Sequence, residues 1–186
     1  MRIRLCRSLV GLVWMCCAFA PAQADDLKVV AADTRLEGQV YLLDARIRYS
    51  LSGKALDALH NSVPLTLDLQ IKVTRQRDWL WDQEVASLEQ RYQIRYHPLT
   101  EQYLVSNLNT GVVQGYQTLN SALSALGDIE DFPLLDHSLL EPGQTYWAHL
   151  RVRLDIESLP APLRPLAYLS SGWRLSSKWY SWRLAP

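Results

Sequence analysis

The chain has 186 residues, with 19 basic and 19 acidic side chains, four histidines and three cysteines. All the cysteines, Cys6, Cys16 and Cys17, fall near the start. That excludes a disulfide, a thiol nucleophile or a thiolate metal site from the rest of the chain.

Met1 to Ala24 has the pattern of a cleaved export signal. Arg2, Arg4 and Arg7 precede an apolar run from Leu9 to Ala20, too short to span a bilayer as a helix. Ala22-Gln23-Ala24 supplies the small-x-small site, which places cleavage between Ala24 and Asp25. Losing three arginines takes the 19 basic residues to 16 against 19 acidic, so residues 25–186 carry about −3 and are poorly suited to nucleic acid. No later apolar stretch is long enough for a membrane helix. The expectation is one domain over 25–186, soluble in the periplasm.

Leu27 to Leu36 is a weak strand pattern with Val29 and Ala31 on one side and Val30 and Ala32 on the other, and Glu37-Gly38 is a turn. Tyr41, Leu43, Ala45, Ile47, Tyr49 and Leu51 alternate with polar neighbours, which predicts a strand. Ser52 caps a short helix over 54–61. From Leu65 to Val73 the odd positions are apolar and face inward. Thr66, Asp68, Gln70 and Lys72 face out. Asp82 opens a turn, and Ala86, Leu88, Tyr92, Ile94 and Tyr96 mark the next strand. A short strand at Tyr103–Asn107 turns at Asn109-Thr110-Gly111 and returns over Val112–Tyr116. Thr118 caps a helix carrying Leu119, Ala122, Leu123 and Leu126, with Gly127 as a left-handed stop. Asp128 to Glu141, acidic and proline-bearing, reads as a loop, and Pro142-Gly143 as a turn. The clearest strand is Tyr146 to Ile156, where Tyr146, Ala148, Leu150, Val152 and Leu154 share one face. Pro160, Pro162 and Pro165 make 159–171 a surface crossover to a last strand over Trp173–Arg183. On that strand Trp173 and Trp179 share parity with Leu175 and face inward.

These elements predict an all-β, mainly antiparallel β-sandwich with one or two short helices, of the immunoglobulin-like kind or a relative of it. The expected core includes Tyr41, Leu43, Ile47, Leu67, Leu69, Ile71, Leu88, Tyr92, Leu150, Val152 and Leu154.

Several motifs, in this order, carry a family resemblance: Arg77-x-Trp79-x-Trp81-Asp82, Leu119-x-x-Ala122-Leu123-x-x-x-Gly127, Arg151-x-Arg153-Leu154-Asp155, Leu159-Pro160-x-Pro162-Leu163-Arg164 and Trp173-Arg174-Leu175-Ser176-Ser177-x-Trp179. The chain resembles an uncharacterised family of exported proteobacterial proteins, domain of unknown function 4390. The resemblance implies a periplasmic domain with no established activity and no catalytic residue to carry over. Family members are often encoded near a membrane sensor kinase, which suggests that kinase or another envelope protein as a partner.

The chemistry-bearing residues point to little catalysis. His60, His97, His137 and His149 lack metal-ligand spacing, and His149 reads as a solvated side chain. Asp136-His137-Ser138 is contiguous, whereas a triad is assembled through the fold. Asp128, Glu130 and Asp131 lack the spacing of a calcium loop. No catalytic, metal or cofactor-binding residue is assigned. The candidate partner-binding residues are Arg75, Arg77, Trp79 and Trp81. They share the inward parity of the strand before them, yet two arginines cannot enter a dry core without partners. Either the strand twists out after Val73 or a bulge moves them. At the rim they form either a stacking ladder that stiffens the strand end or an exposed anchor. The function these features favour is a non-catalytic protein-interaction module of the cell envelope. The alternative is a small-ligand carrier or sensor with a groove beside the proline-rich crossover. A hydrolase comes third.

Overall fold

The period-two stretches pair where their apolar faces demand it. In the computed structural model, which describes residues 27–77 and 79–184, the centre is β3 (Leu65–Arg75) against β8 (Tyr146–Leu154). Their registers place Leu67 opposite Leu154, Leu69 opposite Val152, Ile71 opposite Leu150 and Val73 opposite Ala148. Each pair puts two apolar side chains on the same buried face, and burying each leucine, isoleucine or valine contributes roughly 1.5–3 kcal/mol, with the Ala148 methyl contributing less. The signal-peptide and cleavage expectations for Met1–Ala24 lie outside the described residues.

Two antiparallel sheets enclose the core. The first has the order β1-β2-β7 and the second β6-β5-β4-β3-β8-β9. The remaining strands are β1 (Leu27–Glu37), β2 (Val40–Tyr49), β4 (Gln83–His97), β5 (Gln102–Asn107), β6 (Val113–Tyr116), β7 (Asp128–Asp136) and β9 (Tyr180–Arg183). The immunoglobulin comparison extends to two facing antiparallel sheets; the division of strands into three and six is this protein's own. Gly38, at φ 61°, forms the tight β1–β2 turn. Along one side the sheets meet where Trp182 Nε1 donates to Thr34 Oγ1 at 3.2 Å, both residues buried. Along the other, α2 (Leu119–Gly127) lies over β2.

Both predicted caps are present. Ser52 accepts from Ala55 N at the start of α1 (Gly53–His60), and Thr118 accepts from Ser121 N at the start of α2. Each is worth about 1 kcal/mol. Pro165 sits in the first turn of α3 (Arg164–Leu169), within the proline-rich crossover.

Several expectations are corrected. Gly127 is not among the left-handed glycines. A Cβ there would lie 2.2 Å from the Ile47 carbonyl oxygen, so the glycine serves close packing of helix on strand. The acidic segment is not a loop but begins with the edge strand β7. Pro133 and two register shifts against β2 break its alternation, and an edge strand tolerates both. In β1 a register shift between Val29 and Ala31 turns Ala32 and Thr34 inward.

The last strand is also interrupted. Ser177 N donates to the Val152 carbonyl, Arg153 bridges Ser176, and Leu150 pairs with Tyr180. The extra residue around Lys178–Trp179 flips the parity. Trp173, Leu175 and Ser177 are buried before it, Trp182 and Leu184 after it. Trp179 is therefore turned out, 40 % exposed, rather than inward. Leu88 and Tyr92 are half-buried against the core rather than inside it.

On β3, Thr66 and Asp68 are buried although their parity points them away from the core. Arg91, Arg153 and the segment following β8 close over them. Arg91 Nε lies 3.3 Å and Arg153 Nη2 3.1 Å from the Asp68 carboxylate. Arg91 Nη2 also donates to Asp155 at 2.8 Å and to Ser158 Oγ at 2.7 Å.

Candidate interaction surface

β3 leaves the sheet at Arg75. A register shift between Val73 and Thr74 offsets it from β4, and the chain then enters the β3–β4 loop. Of the two geometries open to the arginine–tryptophan segment, β3 keeps its register against β8 through Arg75 and ends there, and the bulge lies in β4, at Val85. Arg75 Nη2 donates to Gln83 Oε1 at 2.7 Å, and its Nη1 lies 2.5 Å from Glu141 Oε2. Arg77 donates to the same Gln83 oxygen. The base of the loop is fixed further by Gln76 N donating to the Thr145 carbonyl at 2.9 Å, and by Trp147 Nε1 donating to Gln76 Oε1 at 3.3 Å.

Beyond this clamp the loop carries Trp79, Leu80 and Trp81, exposed to 95 %, 65 % and 92 %. Among the described residues, the guanidinium–indole stack is elsewhere: Arg151 Cζ sits 4.6 Å from the Trp179 ring centroid on the outer face of the larger sheet. Arg75 and Arg77 thus brace the loop through Gln83 and Glu141, while the two indoles stand clear.

Beside the loop lies a cavity of about 380 Å³ between the ends of the two sheets. Tyr41, Leu140, Pro142, Tyr146 and Leu184 give it an apolar lining, and His137 and Arg183 add polar groups. Tyr41 OH lies 3.4 Å from His137 Nδ1, and Glu141 N donates to Tyr146 OH at 2.9 Å. The cavity is at the opposite end of the sandwich from the crossover beside which a ligand groove was expected. Pattern reading found its parts, the inward Tyr41 and Tyr146 and the Pro142-Gly143 turn, but the enclosure arises where ends of distant elements meet.

The other polar residues have structural surroundings. Asp136 accepts from Ser138 N at 2.8 Å and Ser138 Oγ at 2.6 Å, capping a short 3-10 turn. The hydroxyl and amide of Ser138 hold the Asp136 pKa below the usual carboxylate range. His137 turns towards Tyr41, so the three neighbours do not form a relay. His149 is not a solvated side chain. It is half-buried between Thr74 Oγ1, 3.0 Å from Nε2, and Ser181 Oγ, 2.7 Å from Nδ1, with the Trp179 ring at its edge. Burial lowers its pKa from 6.5, against an upward pull from Asp82 and with a further downward push from Lys72. Among the described residues no three His, Asp or Glu side chains converge in a way that would hold a metal ion, and no helix is long and apolar enough to cross a membrane. Two of the β7 carboxylates are instead engaged with β1 and β2: Arg35 pairs with Asp44 and Asp131, Asp131 N donates to Asp44 Oδ1 at 2.9 Å, and Arg46 Nε lies 3.7 Å from Asp128.

Comparison with known families decides the affiliation. Residues 24–183 match the profile described as domain of unknown function (DUF4390). The chain belongs to this family. No curated protein and no solved structure matches it. The matched span runs from β1 to the end of β9 and includes both the β3–β4 loop and the cavity beside it.

Proposed function

We propose that this DUF4390 protein is a non-catalytic interaction module of the bacterial cell envelope, exported to the periplasm, with the β3–β4 end of the sandwich as its contact surface. The observation that carries the reading is the exposure of Trp79 and Trp81 on a loop braced by Arg75, Arg77, Gln83 and Glu141. Tryptophan and arginine dominate the energetics of protein interfaces, and a braced loop loses little conformational freedom on binding. Export rests on the signal pattern of Met1–Ala24. A membrane sensor kinase is the partner class that the family association suggests.

The test is photo-crosslinking in cells from a reactive amino acid placed at Gln144, on the cavity rim. A specific protein adduct is expected, and the Trp79→Ala/Trp81→Ala variant should lose it while the melting temperature holds. If that variant keeps every adduct, the contact surface lies elsewhere. A small-ligand carrier is the second reading, and the 380 Å³ cavity favours it. Native mass spectrometry of protein isolated from periplasm would show a bound mass, removed by filling the cavity with Leu140→Trp.

A further inference from the structure

Resting on the reading of this end as a contact surface, we propose that Trp79, Leu80 and Trp81 insert into the interface of a lipid bilayer whose net charge matters little. Three consecutive large side chains are each more than half exposed, at 95 %, 65 % and 92 %. Trp79 and Leu80 lie in the bend of the loop, and exposure this high in all three leaves the tip open on more than one side. A flat protein surface laid against such a tip covers one side of it. A medium that surrounds the tip covers them all, and the acyl–headgroup boundary is such a medium.

The residue types agree. Indole rings place an apolar body beside a polar N–H and settle at headgroup depth, and leucine adds apolar area below them. Leu139, 57 % exposed in the turn after β7, lies at the same end of the sandwich. The bracing has a purpose in this geometry. Arg75 and Arg77 are engaged by Glu141 and Gln83 at the base of the loop, so the tip stands out from the body.

The collar behind the tip sets the lipid preference. At the base of the loop Arg75 and Arg77 are balanced by Asp82 and Glu141, so the loop brings no cationic excess to favour anionic headgroups. Lys72, the next cation along β3, is paired with Glu84 at 2.7 Å. Insertion is then driven by apolar and aromatic burial. Binding should depend weakly on salt, unlike that of a polybasic segment.

Flotation of the exported protein with vesicles of phosphatidylcholine, with and without phosphatidylglycerol, tests this directly. The protein should float with both, at affinities within about threefold of each other. Trp79→Ala/Trp81→Ala should weaken flotation about tenfold or more without moving the melting temperature. Trp179→Ala, on the sheet face, should leave flotation unchanged. Brominated acyl chains should quench fluorescence in the wild type and not in the double variant. No flotation with either vesicle overturns the proposal, as does binding that needs the anionic lipid and survives the double substitution. A protein adduct that persists without vesicle binding sinks the lipid contact and leaves the interaction reading standing. Vesicle binding with no protein adduct does the reverse.

Discussion

The two ends of β3 solve opposite problems with the same kinds of residue. At the Leu65 end the polar face is closed over. Asp68, with its side chain 2 % exposed, is held between Arg91 and Arg153, and Asp155 and Ser158 complete the network. At the Arg75 end, arginines again grip carboxylate and amide oxygens, but what lies beyond them is open, with two tryptophans almost wholly in water. In the first case the arginines satisfy a buried charge. In the second they hold a loop away from the body. On the proposed reading of the Arg75 end as a contact surface, stability and contact fall to separate ends of one strand, so the two should respond to mutation independently.

The largest effect should come from breaking the closed end. Arg91→Ala/Arg153→Ala leaves the Asp68 carboxylate buried without a cation and should cost about 3–5 kcal/mol in urea unfolding. A cost below about 1 kcal/mol would mean that water reaches Asp68 and that the two ends differ less than their geometry suggests. Leu150→Ala, in the fully buried middle of β8, should cost about 2–5 kcal/mol through lost burial and a cavity. It serves as the reference for damage that favours neither end. Gly127→Ala forces a methyl against the Ile47 carbonyl and should cost about 1–3 kcal/mol. Amide exchange would show the loss concentrated where α2 meets β2.

A smaller effect is titratable. The folded-state pKa of His149 lies below its ordinary value of 6.5, so the unfolded chain binds the proton more readily. Its contribution to stability is complete above pH 6.5 and falls as the pH drops through that value towards the lowered pKa. Melting followed from pH 7.5 to pH 5 should show the decline, and His149→Gln should flatten it. Asp136 and Asp155 act in a lower window. Burial of Asp155 raises its pKa, but hydrogen bonds from Ser158, Glu157 and Arg91 outweigh that and leave it lowered. Both carboxylates therefore lose stabilising contacts only as the pH falls below their ordinary 3.8. The smallest effect on stability should belong to Trp79→Ala and Trp81→Ala, within about 0.5 kcal/mol of wild type. A larger loss would make the loop part of the fold and erase the contrast between the ends.

Much of the fold was legible because burial on one face of a sheet writes a period of two into the sequence. β2, β3 and β8 follow it without a break, and Ser52 and Thr118 announce their helices by side-chain chemistry alone. Three of the misreadings share one cause, an extra residue. The shift in β1 turns Thr34 inward, the one near Lys178–Trp179 turns Trp179 outward, and those in β7 hide a strand inside an apparent loop. A bulge preserves pairing while destroying parity, so parity carried across it gives the wrong face. Asp68 escaped for a different reason. Its cover comes from Arg91, Arg153 and Ser158, far away in sequence, and no local pattern encodes it. At the candidate site, Arg75 and Arg77 were legible as a conflict between charge and parity. The cavity beside them was not, since it is made by the ends of elements that meet only in the fold.

Pro133 and the register shifts around it have a consequence for life at high concentration. A strand at the margin of a sheet presents a ready template for another chain, and fibre growth begins by adding one strand to such a margin. β7 is the margin of the smaller sheet. Pro133 lacks the amide that an incoming ladder requires, and Asp131, at φ 53°, bends the chain beside it. Asp131 and Asp128 are held by Arg35 and Arg46 of the same molecule, and Glu130 adds a further carboxylate along the strand. Replacing Pro133 with valine would restore the donor and smooth the edge, and light scattering of concentrated protein would then rise with time where the natural chain stays clear.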